Sequence, residues 1–346
     1  MTIDSMSDAM PDGIPSYSVL LQGPESTVCA RTPEIARAST SYQSEARLED
    51  ELIRQLCDQG YERVSPRTEG ELVANLRHQI ELLNGFTFTD GDWERFFREI
   101  IANKAEGIVE KTRRIQNGPV IDFTLSDGTL KNVMLLDRGR IHRNRLQVMN
   151  QHEANEGRHR NRYDVTILVN GLPLVHIELK RRGVSLRQAF DQIERYQRES
   201  FWSGSGLFEY VQIFVISNGT HTKYYSNTTR WQKTENARRG RKSSASFAFT
   251  SWWTDAENHK IADLVPFAAS FLSKGTILMV LTHYCVLDVT DTLLVMRPYQ
   301  ICACENILNR ILVSEYDRKK LGTLDAGGYI WHTTGSGKTL TSFKTA

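Results

Sequence analysis

The sequence predicts an α/β fold: a mixed sheet flanked by helices, then the start of a phosphate-loop unit. Three observations predict it. Two apolar runs of strand length, 163–169 and 172–180, meet at Asn170-Gly171, a strong hairpin signal. Stretches with apolar residues at helical spacing lie on both sides of that pair. Near the end, a short apolar run leads into His332-Thr-Thr-Gly-Ser-Gly-Lys-Thr339, a glycine-rich loop of the kind that cradles phosphates.

Length and composition set the frame. A chain of 346 residues has room for two or three domains. With 40% hydrophobic and 24% charged residues it reads as ordinary globular protein. The net charge of +2 does not by itself predict a nucleic-acid partner. The five cysteines (Cys29, Cys57, Cys285, Cys302 and Cys304) are odd in number and lack a paired CxxC spacing. That argues against a disulfide framework or a zinc site and fits a reducing, cytoplasmic setting. The first thirty residues lack the apolar segment of a signal peptide. The most apolar run, 276–296, contains His283, Asp288 and Asp291, so it reads as buried strands rather than a membrane span.

Residues 1–40 are rich in Ser, Pro, Thr and Asp without periodicity, the signature of a mobile tail. Leu48, Leu52, Ile53 and Leu56 give a helix over 45–59, which Gly60 ends. Further amphipathic helices are expected over 71–84 and 92–103. A strand pair is expected over 120–136, turning at Ser126-Asp127-Gly128, and a short strand over 144–149. After the central hairpin, Ser185 opens a helix, and Gln188 three residues later matches a capping box. Leu186, Ala189, Phe190, Ile193 and Tyr196 form its inward stripe. Strands are expected at 210–217 and 222–225, an exposed basic loop at 236–246, a helix at 255–272, and a strand-rich segment from Thr276 onward.

The chemistry sits in the hairpin. Strand interiors disfavour acids and lysine, yet Asp164, Glu178 and Lys180 all emerge there. Metal-assisted hydrolysis of a phosphodiester supplies a reason. Mg2+ takes oxygen ligands, and two carboxylates with a backbone carbonyl, that of Leu179, would leave room for water and phosphate. Lys180 would face the phosphate or the attacking water. The same spacing also fits a hairpin whose polar face is simply solvated.

Register decides whether the acids can meet. A two-residue turn at Asn170-Gly171 would set Asp164 opposite Ile177 and point Glu178 to the other side of the sheet. A three-residue loop, Val169-Asn170-Gly171, would pair Asp164 with His176 and leave it diagonal to Glu178, roughly 7–8 Å apart at the backbone. Pro173 cannot donate to the ladder, so a bulge near it would also shift the register. A shared metal therefore requires the longer loop or a bulge. Gln192 and Tyr196, four apart, share one face of the next helix, where they could hold Lys180 or the phosphate.

These residues resemble known families. Asp164, then Glu178-x-Lys180, then Gln192-x-x-x-Tyr196 resembles the PD-(D/E)xK nucleases of the RecB type. More closely, 170–180, 188–196 and Phe214-Val-Ile-Ser-Asn-Gly219 resemble the restriction subunit (HsdR) of type I restriction–modification enzymes, over about residues 42–346. The resemblance implies a restriction-endonuclease-like core over 41–272 that cuts double-stranded DNA with Mg2+. It also implies partner methylation and specificity subunits. Tyr163 stands where the family's motif has proline. The family often adds an acid from its first helix. Glu49 fits that place, but Glu45 and Glu51 compete, and a solvated helix face explains Glu49 as well.

Basic residues cluster at Arg138, Arg140, Arg143 and Arg145, at Arg158, Arg160 and Arg162, at Lys180, Arg181 and Arg182, and at Arg238, Arg239, Arg241 and Lys242. Two clusters flank the hairpin acids, where phosphate neutralisation would make DNA binding salt-dependent. A solvated surface explains such runs equally well. No helix-turn-helix or finger is evident, and His152, Glu153 and His159 do not match a zinc-hydrolase spacing.

The loop 332–339, after a short strand at 329–331, resembles the phosphate-binding loop of superfamily 2 helicases, with His332 in place of the first glycine. The resemblance implies ATP held by Gly335, Ser336, Gly337, Lys338 and Thr339, and adenine read by Gln300 of Arg297-Pro-Tyr-Gln300. Seven residues follow Thr339 and lack the acidic magnesium motif. An incomplete RecA-like domain over 273–346, without ATPase activity, is therefore expected. Two further readings stay open: a repair-type helicase–nuclease, and a catalytically silent DNA-binding or interaction module.

Overall fold

A six-stranded mixed sheet organises the computed structural model, which describes residues 18–22, 27–31, 44–154, 161–227, 247 and 249–346. Part of the expected tail pairs instead: β1 (Ser18–Gln22) and β2 (Thr27–Arg31) form an antiparallel hairpin. The rest of residues 1–40 lies outside the described residues, as does the expected loop at 236–246.

Helix α1 (Glu45–Asp58) starts at Ser44, whose side chain accepts the Arg47 amide, and buries Leu48, Leu52, Ile53 and Leu56. The two-residue β3 (Glu62–Arg63) follows. Helix α2 (Glu69–Asn84) is capped by Thr68 and closed by left-handed Gly85. The helix expected at 92–103 is shorter: α3 (Asp90–Phe96) loosens into a π-turn over Phe97–Ile101. Helix α4 (Ile108–Asn117) leads to the hairpin of β4 (Val120–Thr124) and β5 (Leu130–Met134).

The main sheet runs β10-β9-β8-β7-β6-β3, with β6 (Leu146–Ala154), β7 (Asn161–Val169), β8 (Leu172–Leu179), β9 (Ile213–Ser217) and β10 (Thr222–Ser226). The pairs β3–β6 and β8–β9 are parallel and the others antiparallel, so the sheet is mixed. All eight residues of β8 are buried, as expected for a central strand covered on both faces. Helix α1 lies across β6, β7 and β8, and α5 (Leu186–Glu199) lies across β8 and β9. Phe190 and Ile193 of α5 are fully buried, each worth about 1.5–3 kcal/mol of hydrophobic stabilisation. Ser185 caps α5 through the Arg187 amide, not through the reciprocal capping box expected with Gln188.

Three expectations change beyond the sheet. The strand expected from Tyr210 begins only at Ile213, because Leu207–Tyr210 closes into a 3-10 turn. The helix expected at 255–272 is only α6 (Leu264–Ser270). Left-handed Asn258 and the bond from the His259 amide to Asp255 turn the chain into a small hairpin of β11 (Trp253–Thr254) and β12 (Lys260–Ile261). The run from Thr276 begins as helix α7 (Lys274–Thr282), capped by Ser273, before the pair β13 (Cys285–Leu287) and β14 (Leu293–Val295).

Helix α8 (Pro298–Tyr316) and the eight-residue α9 (Lys338–Thr345) complete the chain. The expected strand at 329–331 does not form. It has no neighbouring strand to pair with, and Tyr329 and Trp331 are 85% and 86% exposed. Among the described residues after 273, the sole strand pairing is β13 with β14, so no parallel sheet supports the glycine-rich loop. Among the described residues no single helix is long and apolar enough to cross a membrane. The apolar pair α6 and α7 is bent by 68°.

Candidate active site

The hairpin turn and one bulge bring the two acids together. Asn170 and Gly171 both have positive φ, 51° and 81°, which makes a tight two-residue turn. Only glycine suits the second position, since a Cβ there would lie 2.6 Å from the Leu76 backbone. Asn170 is buried and anchors the turn: it accepts the Arg145 amide at 2.9 Å and donates to the Leu135 carbonyl at 3.1 Å.

Next to the turn, Val169 faces Leu172 and Leu168 faces Pro173. Further along, Ile167 faces Val175, Thr166 faces His176 and Val165 faces Ile177. Leu174 is therefore an extra residue on β8, a bulge beside the proline that cannot donate to the ladder. The three-residue loop does not occur. The two-residue turn plus the bulge shifts the register the other way. Extended one step, that register sets Asp164 directly opposite Glu178, so both carboxylates point to one face.

Contacts follow from that register. Asp164, half-buried, accepts the Leu179 amide through Oδ2 at 2.8 Å. Glu178 is fully buried, and its Oε1 accepts the Lys180 ammonium at 2.8 Å. The same ammonium donates to the Leu179 carbonyl at 2.9 Å. Burial, reinforced by the Glu178 charge, pushes Asp164 up to about 7. Burial also pushes Glu178 up to about 7, against the pull of Lys180. Two acids held this way resist ionising together unless a proton or a cation joins them.

The donor set fits a hard divalent cation. Two of the expected oxygens, Glu178 Oε1 and the Leu179 carbonyl, already converge on one positive group, and the Asp164 carboxylate adjoins them. Burial keeps His176, two residues before Glu178, neutral near pH 7 by holding it down to about 4.

Gln192 and Tyr196 share a helix face as expected, and the Gln192 amide donates to the Tyr196 hydroxyl at 2.5 Å. They do not hold Lys180. The Tyr196 hydroxyl donates to the Arg162 carbonyl at 2.8 Å, tying α5 to the strand that carries Asp164. In helix α1, Glu49 is buried rather than solvated. It accepts from Asn150 at 2.5 Å and Gln151 at 3.2 Å on β6. Gln151 has a φ of 54° and breaks the β6–β7 ladder where Asp164 sits. Glu45, one turn earlier, accepts the Arg181 amide at 3.3 Å, and its charge adds to the upward push on Glu178. Glu51 pairs with Arg47 on the surface.

The basic clusters divide. Arg138 is no surface cation: its guanidinium donates to the carbonyls of Gln116 and Thr282. Arg143 pairs with Asp137, and Arg182 with Thr220 and Asp263. Arg140, Arg162 and Arg181 are exposed. Arg158, Arg160 and the cluster from Arg238 to Lys242 lie outside the described residues.

The glycine-rich loop opens α9, with Gly335 and Gly337 at φ 78° and 84°. It borders a cavity of about 670 Å3 lined also by Tyr299, Tyr329 and Trp331. Gln300 does not face that cavity with a free amide. Its Oε1 accepts the Arg297 amide at 2.8 Å and its Nε2 donates to the Ser336 carbonyl at 2.9 Å. The Lys338 ammonium donates to the Thr333 carbonyl at 3.2 Å.

Comparison with known proteins decides the family. The family described as type I restriction enzyme R protein N terminus matches residues 42–233. The chain belongs to the type I restriction enzyme R protein family. The family described as type III restriction enzyme, res subunit, matches residues 293–346. The R-protein chain is 47% identical over 297 residues to the type I restriction enzyme EcoprrI endonuclease subunit of Escherichia coli, covering 86% of this chain and 91% of that protein. It is 38% identical over 309 residues to the SsaAORF53P endonuclease subunit of Staphylococcus saprophyticus, covering 88% of this chain and 30% of that protein. The SauMSSORF170P endonuclease subunit of Staphylococcus aureus is 36% identical over 310 residues, again covering 88% and 30%. The chain thus spans most of the E. coli relative and under a third of the staphylococcal ones.

The hairpin turn, the helix stripe and the glycine-rich loop are all visible in the sequence. The burial of His176 opposite Thr166 and the contact of Glu45 with the Arg181 amide are not. The available signal for His176 is its two-residue spacing from Glu178, which places it on the same strand face.

Proposed function

We propose that this chain carries a magnesium-dependent DNA endonuclease site, the cutting unit of a type I restriction enzyme. One observation carries the proposal: Glu178 Oε1 and the Leu179 carbonyl converge on one cationic group beside the Asp164 carboxylate. Asp164, Glu178 and the Leu179 carbonyl would hold the ion. When bound, Mg2+ lowers the pKa of water and neutralises charge on the phosphate. Lys180, released from those oxygens, offsets the negative charge that develops on the scissile phosphate. As ligands, Asp164 and Glu178 would be carboxylates, so holding the ion would release to solvent any proton that they share. Tyr196 fixes the Arg162 end of β7, so Asp164 keeps its place opposite Glu178.

Double-stranded DNA as substrate rests on the likeness to proteins named as type I restriction enzyme endonuclease subunits. Methylation and specificity subunits are the proposed partners, and the cytoplasm the proposed location. In a longer R protein, Gly335, Ser336, Gly337, Lys338 and Thr339, with Gln300 behind them, would hold ATP in a RecA-like unit that drives translocation. The res-subunit match over 293–346 supports that extension.

Plasmid nicking by the purified chain tests the proposal. Nicking that needs Mg2+ and disappears in Asp164→Ala and Lys180→Ala supports it. A metal-independent activity, or one that survives both substitutions, overturns it.

A further inference from the structure

His176 sits in the core with no exposure, enclosed by Tyr163, Tyr196, Phe201 and Phe214 at ring distances of 5.7, 6.2, 5.7 and 6.3 Å. An imidazole is a costly choice for an apolar box, because each buried ring nitrogen needs a partner. One nitrogen has one: Nδ1 lies 3.2 Å from Thr166 Oγ1, on the strand directly opposite. The other, Nε2, has none, and neither has Glu178 Oε2. These two buried, unpartnered atoms lie 3.6 Å from each other. That is a few tenths of an ångström beyond a hydrogen bond.

The tautomer follows from the surroundings. A proton on Nδ1 would leave the Nε2 lone pair facing the ionised Glu178 oxygen, two acceptors opposed in a buried site. A proton on Nε2 lets the Thr166 hydroxyl donate to Nδ1 and aims Nε2–H at Glu178 Oε2. An ionised carboxylate accepts such a bond strongly in a buried setting.

We propose that His176 is a positioning residue for Glu178. Its Nε2–H takes Oε2 when the acid ionises and so leaves Oε1 turned toward Asp164 and the Leu179 carbonyl. Thr166 fixes the tautomer from behind. The series Thr166–His176–Glu178 then acts as an outer shell that orients one ligand of the ion site. This inference rests on Asp164, Glu178 and Leu179 being that site. Partners of this kind typically contribute 10–100-fold to metal affinity.

The test measures Mn2+ binding to the DNA-free protein by calorimetry, alongside the Mg2+ dependence of nicking. His176→Leu removes the donor and is expected to weaken Mn2+ binding and raise the half-saturating Mg2+ by about 10-fold or more. The nicking rate at saturating Mg2+ stays near that of the unsubstituted chain. His176→Gln, which restores an N–H, stays within about 3-fold, and Thr166→Val falls between. A merely structural role would lower the melting temperature and the saturated rate together without moving the metal dependence. Nitrogen NMR of the metal-free protein, on the alkaline side of the range in which the two acids hold a proton, reads the tautomer directly, and an Nδ1–H signature for His176 there overturns the proposal. So does unchanged Mn2+ affinity in His176→Leu when the unsubstituted chain binds Mn2+ and nicks DNA. An unsubstituted chain that neither binds Mn2+ nor nicks overturns the ion site itself, and the positioning role with it. If His176→Leu does not fold, the His176→Gln and Thr166→Val titrations and the tautomer decide.

Discussion

The carboxylate of Asp164 accepts the backbone amide of Leu179 at 2.8 Å, across the open end of a hairpin whose turn lies at Asn170-Gly171. The acid on one strand is thereby fixed to the peptide that follows Glu178 on the other. Leu179 presents its amide to Asp164 and its carbonyl to Lys180, so one residue links every member of the cluster.

Asp164→Asn keeps an oxygen for the Leu179 amide but loses the charge. The chain should fold with nearly unchanged melting temperature while Mg2+-dependent nicking falls by roughly 10^2–10^3-fold, the scale of losing one preorganised electrostatic group. Parallel thermal melts and nicking rates check both halves. A large drop in melting temperature would mean that Asp164 acts chiefly as a structural clasp.

The raised acids make the metal-free protein sensitive to pH in a definite direction. Asp164 and Glu178 titrate near 7 when folded, against ordinary values near 4 when unfolded. The folded state therefore binds more protons between those values. Stability from this pair is complete below about pH 4 and is lost as pH rises toward 7. Added Mg2+ should restore it, most strongly at the alkaline end, because the ion replaces the retained proton. Melting curves in chelator and in Mg2+ from pH 4.5 to 8 check this. Subtracting the curves of an Asp164→Asn/Glu178→Gln variant removes the contribution of other groups.

Tyr196→Phe deletes the hydroxyl that donates to the Arg162 carbonyl and accepts from Gln192. A destabilisation of about 1 kcal/mol is expected from the lost hydrogen bond. The loss of nicking should be modest and much smaller than for Asp164→Asn, because the hydroxyl acts on strand position and not on Lys180. Urea titrations and nicking rates separate the two effects.

Gly171→Ala places a Cβ 2.6 Å from the Leu76 backbone at a φ of 81°. A cost of about 1–3 kcal/mol is expected from the backbone conformation, with the clash added. Urea unfolding measures it. The same substitution at Gly128, also at positive φ (82°) but with nothing within 4 Å, should cost less.

Lys338 is tied to the Thr333 carbonyl and Gln300 to the Ser336 carbonyl. ATP must displace the first bond to reach the ammonium. Weak binding by this chain, with a Kd in the millimolar range or on the order of −4 kcal/mol, is expected from calorimetry. Lys338→Ala should leave Mg2+-dependent nicking unchanged.

Much of the fold was legible in the sequence because local signals were strong. The four leucine and isoleucine positions of α1, the inward stripe of α5 and the Asn170-Gly171 turn each carry their own period or turn chemistry. The bulge at Leu174 is signalled only by Pro173 beside it, which gives a reason for a shift but not its direction. Strand β8 is apolar and buried on both faces, so alternation cannot report its register. Helix α7 is ambiguous in the sequence for a related reason: a short, unbroken apolar run fits strand and helix alike. The two acids could be picked out as a pair, but not set directly opposite each other. Helical spacing places Tyr196 where it could hold Lys180 or the phosphate. Its partner is instead a main-chain carbonyl, which any residue at position 162 would offer. The burial of Glu49 depends on amides about a hundred positions away, beyond any local pattern.

The extra residue on β8 has a consequence for how related chains are judged. A related chain without Leu174 could pair regularly from the turn and still set Glu178 opposite Asp164. A chain that keeps Leu174 but straightens the bulge would set Asp164 opposite Ile177 and turn Glu178 and Lys180 to the other side of the sheet. Such a chain would carry an unbroken signature and no working centre. The motif letters alone therefore do not certify a relative: the irregularity beside Pro173, or the loss of its extra residue, has to accompany them.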